Sequence, residues 1–96
     1  MRNLADFKRM IQIAIDEKRQ IKTSNYNSKG ELTSEKPFTT VCHLQSNAFT
    51  LLRDEKQSWI FFGKASEWTF DGSLTAIQSD VFGKHMIEIS ENCIVE

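Results

Sequence analysis

Apolar residues near the start of the chain recur at helical spacing. Leu4, Phe7, Ile11, Ala14 and Ile15 form one stripe, widened by Met10, while Asp6, Lys8, Arg9, Gln12, Asp16, Lys18 and Arg19 fill the rest of the wheel. This pattern predicts an amphipathic helix over about 4–21. Asn3 is a natural N-cap, and Asp6 three residues later favours the positive end of the helix dipole. Lys18, Arg19 and Lys22 gather near the other end, where they complement exposed carbonyls. Residues 23–37 are polar, with Tyr26 and Leu32 as the sizeable apolar groups and Gly30 and Pro37 as punctuation, and are expected to form a long loop or a loop with a short irregular strand.

Beyond Pro37 the period changes to two. Phe38 to Gln45 is dense in β-branched residues and reads as a strand, Asn47 provides a turn, Ala48 to Arg53 follows as a second strand, and Asp54 to Gln57 reads as a polar hairpin loop. The stretch Ser58 to Phe70 holds the greatest concentration of apolar area. Trp59 and Phe61 alternate with Ile60 and Phe62, so both faces of that strand are apolar, which predicts a central strand covered on two sides. Trp68 and Phe70 alternate with Glu67 and Thr69, as in a strand with one dry face, and Gly63-Lys64-Ala65 between the two runs suits a turn joining neighbouring strands. Asp71-Gly72 is the strongest hairpin signal, Leu74 to Gln78 reads as a strand, residues 79–83 as a turn, and Met86, Ile87 and Ile89 mark a last strand before the tail from Glu91.

These elements predict an α+β fold in a single domain over 1–96, with the N-terminal helix packed on a curled antiparallel meander of five or six short strands over about 38–90, a small partly open barrel. Its edges are expected at the strands near Phe38 to Gln45 and Met86 to Ser90, either of which could pair with a copy of itself, leaving monomer and dimer both open.

Composition narrows the setting. No run of about 18 apolar residues could span a membrane, and the N-terminus leads into an amphipathic segment instead of a signal-peptide core, so a cytoplasmic protein without membrane contact is expected. Cys42 and Cys93 are too few and too far apart for a disulfide framework and are expected as free thiols. Charge divides unevenly: residues 1–30 carry seven basic against three acidic side chains, and residues 31–96 carry five against ten. A basic helix packed beside an acidic-rimmed sheet explains this without a partner, and a field of one sign at each end would serve a charged partner.

Catalytic chemistry finds little support. His43 and His85 are the two histidines, forty-two residues apart, and no cluster of ligand-type residues surrounds either in the sequence to mark a metal site. Cys42 and His43 are adjacent, but neighbours on a strand point to opposite faces and make a poor nucleophile and base. Ser58 and Ser66 lack a nucleophile elbow, and the four glycines are isolated and suit turns, so no phosphate loop is present. The expectation is a protein that is not an enzyme and takes no cofactor or metal. Six aromatics, Phe49, Trp59, Phe61, Phe62, Trp68 and Phe70, with Lys56 and Lys64, could form a stacking platform for single-stranded nucleic acid. A domain of this size needs about four of those rings for its core, and the acidic balance of the sheet-forming half opposes a polyanion, so nucleic acid is the disfavoured alternative.

Gln45 to Leu51, Ser58-Trp59, Lys64 to Glu67 followed by an aromatic strand and Asp71-Gly72, together with Asp6-Phe7-Lys8 near the helix start, form a pattern that resembles small phage- and prophage-encoded accessory proteins. The long polar segment before Pro37 departs from that pattern. The resemblance implies a non-catalytic module that binds and inhibits or modulates a host protein, such as a defence nuclease. Candidate contact residues are Lys8, Arg9, Lys18 and Arg19 on the helix, Asp54, Glu55 and Glu67 on an acidic rim, Lys64, and any exposed ring of Trp59 or Trp68, since tryptophan and arginine dominate binding hot spots.

Overall fold

The computed structural model describes residues 2–93. The backbone of Cys93 is described but not its side chain, so its expected free thiol, like residues 94–96 of the tail, lies outside what is described.

Helix α1 spans Leu4–Asp16. Asn3 caps it in extended backbone, its side chain accepting a hydrogen bond from the Asp6 amide at 2.9 Å. The helix buries Phe7, Ile11 and Ala14, the stripe expected from spacing, but it ends five residues earlier than the basic run suggested. Lys18, in the left-handed region at φ 55°, turns the chain directly into strand β1, Arg19–Asn27. The segment expected as helix end and polar loop is therefore a long central strand. Its composition looks loop-like because hydrogen bonds on both edges, more than apolar side chains, hold it in place.

Seven further strands follow: β2 Leu32–Glu35, β3 Thr39–Leu44, β4 Ala48–Arg53, β5 Lys56–Phe61, β6 Trp68–Asp71, β7 Thr75–Asp80 and β8 Gly83–Cys93. All pairs are antiparallel, in the order β5-β4-β3-β1-β8-β7-β6, with β2 also pairing β1. One edge of β1 is lined by β8, and the other is shared end to end by β3, opposite Gln20 and Ile21, and β2, opposite Ser24 to Tyr26. The Lys36 amide donates to the Thr23 carbonyl at 2.9 Å where those two short strands meet.

The α+β class with an antiparallel sheet is thus observed, with eight strands in place of five or six and an open sheet in place of a barrel. The terminal strands are β5 and β6, consecutive in the chain yet unpaired with each other. The expected hairpin across Gly63 does not exist; a short 3-10 turn at Ala65–Glu67 carries the chain from one sheet edge to the other. The strands expected at the edges, β3 and β8, are interior ones.

Phe7 fills the space inside the curl. It is fully enclosed and meets Phe49, Phe62, Trp68 and Phe70 at centroid separations of 5.9, 5.8, 4.9 and 6.1 Å, two of them edge-on at 87°. Phe49 comes from β4, Phe62 from the end of β5, and Trp68 and Phe70 from β6, so one helix residue ties both ends of the sheet together. The Trp68 indole N–H donates to the Phe62 carbonyl, holding the two ends close without a ladder between them. Val41, Leu51, Ile60, Ile87 and Ile89 extend this core along the sheet.

Candidate functional site

Paired residues on neighbouring antiparallel strands point to the same face. On β4 and β5, Phe49 opposite Ile60 faces the core, so Thr50 opposite Trp59 and Ala48 opposite Phe61 face away from it. Small Ala48 and Thr50 are enclosed, while the large rings opposite them stand in solvent, Trp59 at 48% and Phe61 at 59% exposure. Their planes lie 18° apart with centroids 6.3 Å apart, a near-parallel pair of exposed rings on a sheet-edge strand. The pattern expected of a doubly covered central strand belongs to an edge strand with one aromatic face uncovered.

Exposed Leu52, further along the same face of β4, and exposed Phe38, just before β3, continue the strip. His43 completes the row opposite Thr50, its amide donating to the Thr50 hydroxyl at 3.1 Å. Charges surround the strip. Asp54 and Glu55 form the two-residue turn into β5, both with positive φ, 51° and 65°, as a type I′ hairpin requires. Lys56 follows the turn, and exposed Lys64 lies just past the far end of the strand. The result is an apolar centre with a rim of mixed charge.

The remaining sequence-derived candidates are scattered. The Lys8 ammonium donates to the Ser46 carbonyl at 3.0 Å and sits 5.0 Å from the centre of the Phe62 ring, so it seals the core beside the β3–β4 link. Arg9 pairs with Asp6 at 3.3 Å. Lys18 and Arg19 lie beyond the helix, and Arg19 pairs with Glu17 at 2.8 Å. These four do not form one basic helix face. Glu67 accepts from the Gln78 side chain at 3.2 Å. Trp68 is 5% exposed and belongs to the core, which leaves Trp59 as the surface tryptophan. Cys42, half-buried, occupies a bulge between Val41 and His43. Among the described residues no three His, Cys, Asp or Glu side chains gather as metal ligands would.

Comparison with protein-family models, curated proteins and solved structures returned no match.

One charged site escaped the sequence reading. At the end of β4, Arg53 is half-buried and donates to the hydroxyl of buried Thr23 on β1. His85 on β8 has its pKa pushed below the ordinary histidine value, first by burial and then by the Arg53 charge. Arg53 also lines a 310 Å³ cavity with Lys36, Pro37, Phe38, Thr39, Leu52 and Asp54. The cue missing from the sequence was the pairing of β1 with β8, which brings residues 23, 53 and 85 together from three distant segments.

Proposed function

We propose that this chain is a non-catalytic binding module that docks a protein partner on the outer face of β4 and β5, with Trp59 and Phe61 as anchors. The observation that carries the reading is the near-parallel, exposed pair of rings on an edge strand, an arrangement that leaves apolar area in water until something covers it. Rigid aromatics of this kind lose little entropy on binding and dominate interface energetics. The rim of Asp54, Glu55, Lys56 and Lys64 carries both signs and suits a protein surface better than a polyanion. The resemblance to phage accessory proteins suggests the class of partner, a host protein such as a defence nuclease, whose activity the module would inhibit or modulate.

The same near-parallel exposed rings, with Lys56 and Lys64 near the ends of the strand, also favour a second reading, a stacking platform for single-stranded nucleic acid. One experiment separates the two. Tagged protein is used to capture partners from nuclease-treated bacterial lysate at two salt concentrations, alongside Trp59→Ala and Arg9→Glu variants. The protein-binding reading expects one protein to survive nuclease and salt, with Trp59→Ala weakening its capture about thirtyfold or more and Arg9→Glu leaving it unchanged. Capture indifferent to Trp59→Ala would overturn the placement, and recovery of nucleic acid alone, lost as salt rises, would replace the protein reading with the stacking one.

A further inference from the structure

The cavity between the loop before β3 and the end of β4 is lined by two cations, Arg53 and Lys36, against one carboxylate, Asp54, and neither cation makes an ion pair among the described residues. The one hydrogen bond that the Arg53 guanidinium makes among the described residues goes to the neutral hydroxyl of Thr23, and its Nε is enclosed without a partner. None of the ion pairs among the described residues includes Arg53. A half-buried guanidinium ordinarily has a carboxylate beside it, because its desolvation is otherwise uncompensated. Asp54, the next residue, also lines the cavity, but it lies exposed in the turn and makes no ion pair with Arg53.

Lys36 approaches the same place from another element. Its backbone amide is fixed to the Thr23 carbonyl at 2.9 Å, so the residue that receives the Arg53 side chain also anchors Lys36. The Lys36 side chain is exposed and makes no ion pair among the described residues. The pKa of His85, lowered first by burial, is lowered further by the Arg53 charge, which reaches it unneutralised. Pro37, Phe38 and Leu52 supply an apolar wall to one side of the two cations.

We propose that this cavity is an oxyanion site, in which a phosphate or carboxylate group is held between the Arg53 guanidinium and the Lys36 ammonium. The planar donor fork of arginine suits either group, and lysine adds a mobile point charge. Phe38 and Leu52 belong both to the cavity wall and to the aromatic strip, but the site stands on its own charge imbalance whatever docks on the strip.

The test is a titration of the full-length, isotopically labelled protein with inorganic phosphate and, separately, with acetate, followed by NMR at constant ionic strength. The expected result is saturable shifts at the Arg53 Nε–H and at the amides of Thr23 and Lys36. Lys36→Gln weakens binding about threefold, in line with an exposed charge, and Arg53→Gln weakens it more than about tenfold. Lys36 is exposed, so its variant keeps the test open even if Arg53→Gln does not fold. Tighter binding of phosphate identifies a phosphate-bearing ligand, and equal or tighter binding of acetate a carboxylate; both uphold the site. Shifts that climb without saturating for both anions, or saturable shifts that Lys36→Gln leaves unchanged, overturn it.

Discussion

Replacing Phe7 by alanine and, separately, Phe61 by alanine tests the division between structural and exposed aromatics on which the candidate surface depends. Phe7 is fully enclosed and contacts four other rings, whereas Phe61 is 59% exposed. Truncating a buried phenylalanine removes its transfer free energy and leaves a cavity, together about 3–5 kcal/mol. The Phe7 site has little freedom to collapse, because its neighbours come from β4, from the end of β5 and from β6, strands fixed by separate ladders. The upper part of that range is therefore expected. A domain of this size has a total stability of roughly 5–15 kcal/mol, so Phe7→Ala consumes much of it. Truncating Phe61 leaves no cavity and should cost less than about 1 kcal/mol. Urea denaturation followed by circular dichroism measures both, with Phe7→Ala lowering the midpoint by at least about 1 M at unchanged slope. Losses equal within 1 kcal/mol, or a larger loss for Phe61→Ala, would refute the assignment of Phe7 as hub and of the β5 ring as surface.

The two tryptophans separate by fluorescence: Trp59→Phe, which leaves buried Trp68, should emit further to the blue and be poorly quenched by iodide, while Trp68→Phe should be quenched readily, and the reverse order would contradict the outer-face placement. A Cβ at Gly83 would meet the Tyr26 carbonyl oxygen at 1.9 Å, so Gly83→Ala should destabilise by more than about 2 kcal/mol in thermal unfolding, while Gly30→Ala, at φ 84° with nothing within 4 Å, should cost only about 1 kcal/mol. Glu55 occupies a left-handed position at φ 65° in the β4–β5 turn, so Glu55→Gly should raise stability by roughly 0.5–1 kcal/mol, and a loss would argue against the type I′ geometry. His85 resists protonation when folded but titrates near 6.5 when unfolded, so its contribution to stability is complete above about pH 6.5 and is lost as pH falls below that value toward the lower folded pKa. Urea midpoints measured from pH 7 to about 5 should fall more steeply for the parent protein than for His85→Gln or Arg53→Gln, and parallel slopes would remove His85 as the cause.

Much of the core was legible in the sequence, because the stripe of Phe7, Ile11 and Ala14 has only one period and only one face to offer. Strands β4, β7 and β8 were legible for the same reason, their apolar residues alternating between turns that glycine, asparagine and aspartate announce. β1 was not. Arg19 to Asn27 contains Ile21 and Tyr26 among seven polar residues, and its strand conformation comes from β8, β3 and β2 pairing along it, partners that lie between five and some seventy positions away. The same missing strand hid the Arg53 cavity, since Thr23 cannot be placed beside Arg53 and Lys36 until β1 is known to lie between β3 and β8.

The aromatic strip failed for a subtler reason. A strand apolar on both faces has two physical explanations: a second layer of the same chain covers it, or one face is left for something else to cover. The alternation of Trp59 and Phe61 with Ile60 and Phe62 is identical in the two cases, so pattern alone cannot choose between them. What chooses is how much apolar material remains for a second layer. Helix α1 sits inside the curl, where its buried stripe of Phe7, Ile11 and Ala14 joins Phe49, Phe62 and Trp68. With α1, the one α-helix among the described residues, on the inner side, the Trp59 face of this doubly apolar strand is left exposed. That deficit, a property of the whole composition and not of the strand, makes the Trp59 face the place to look for a partner.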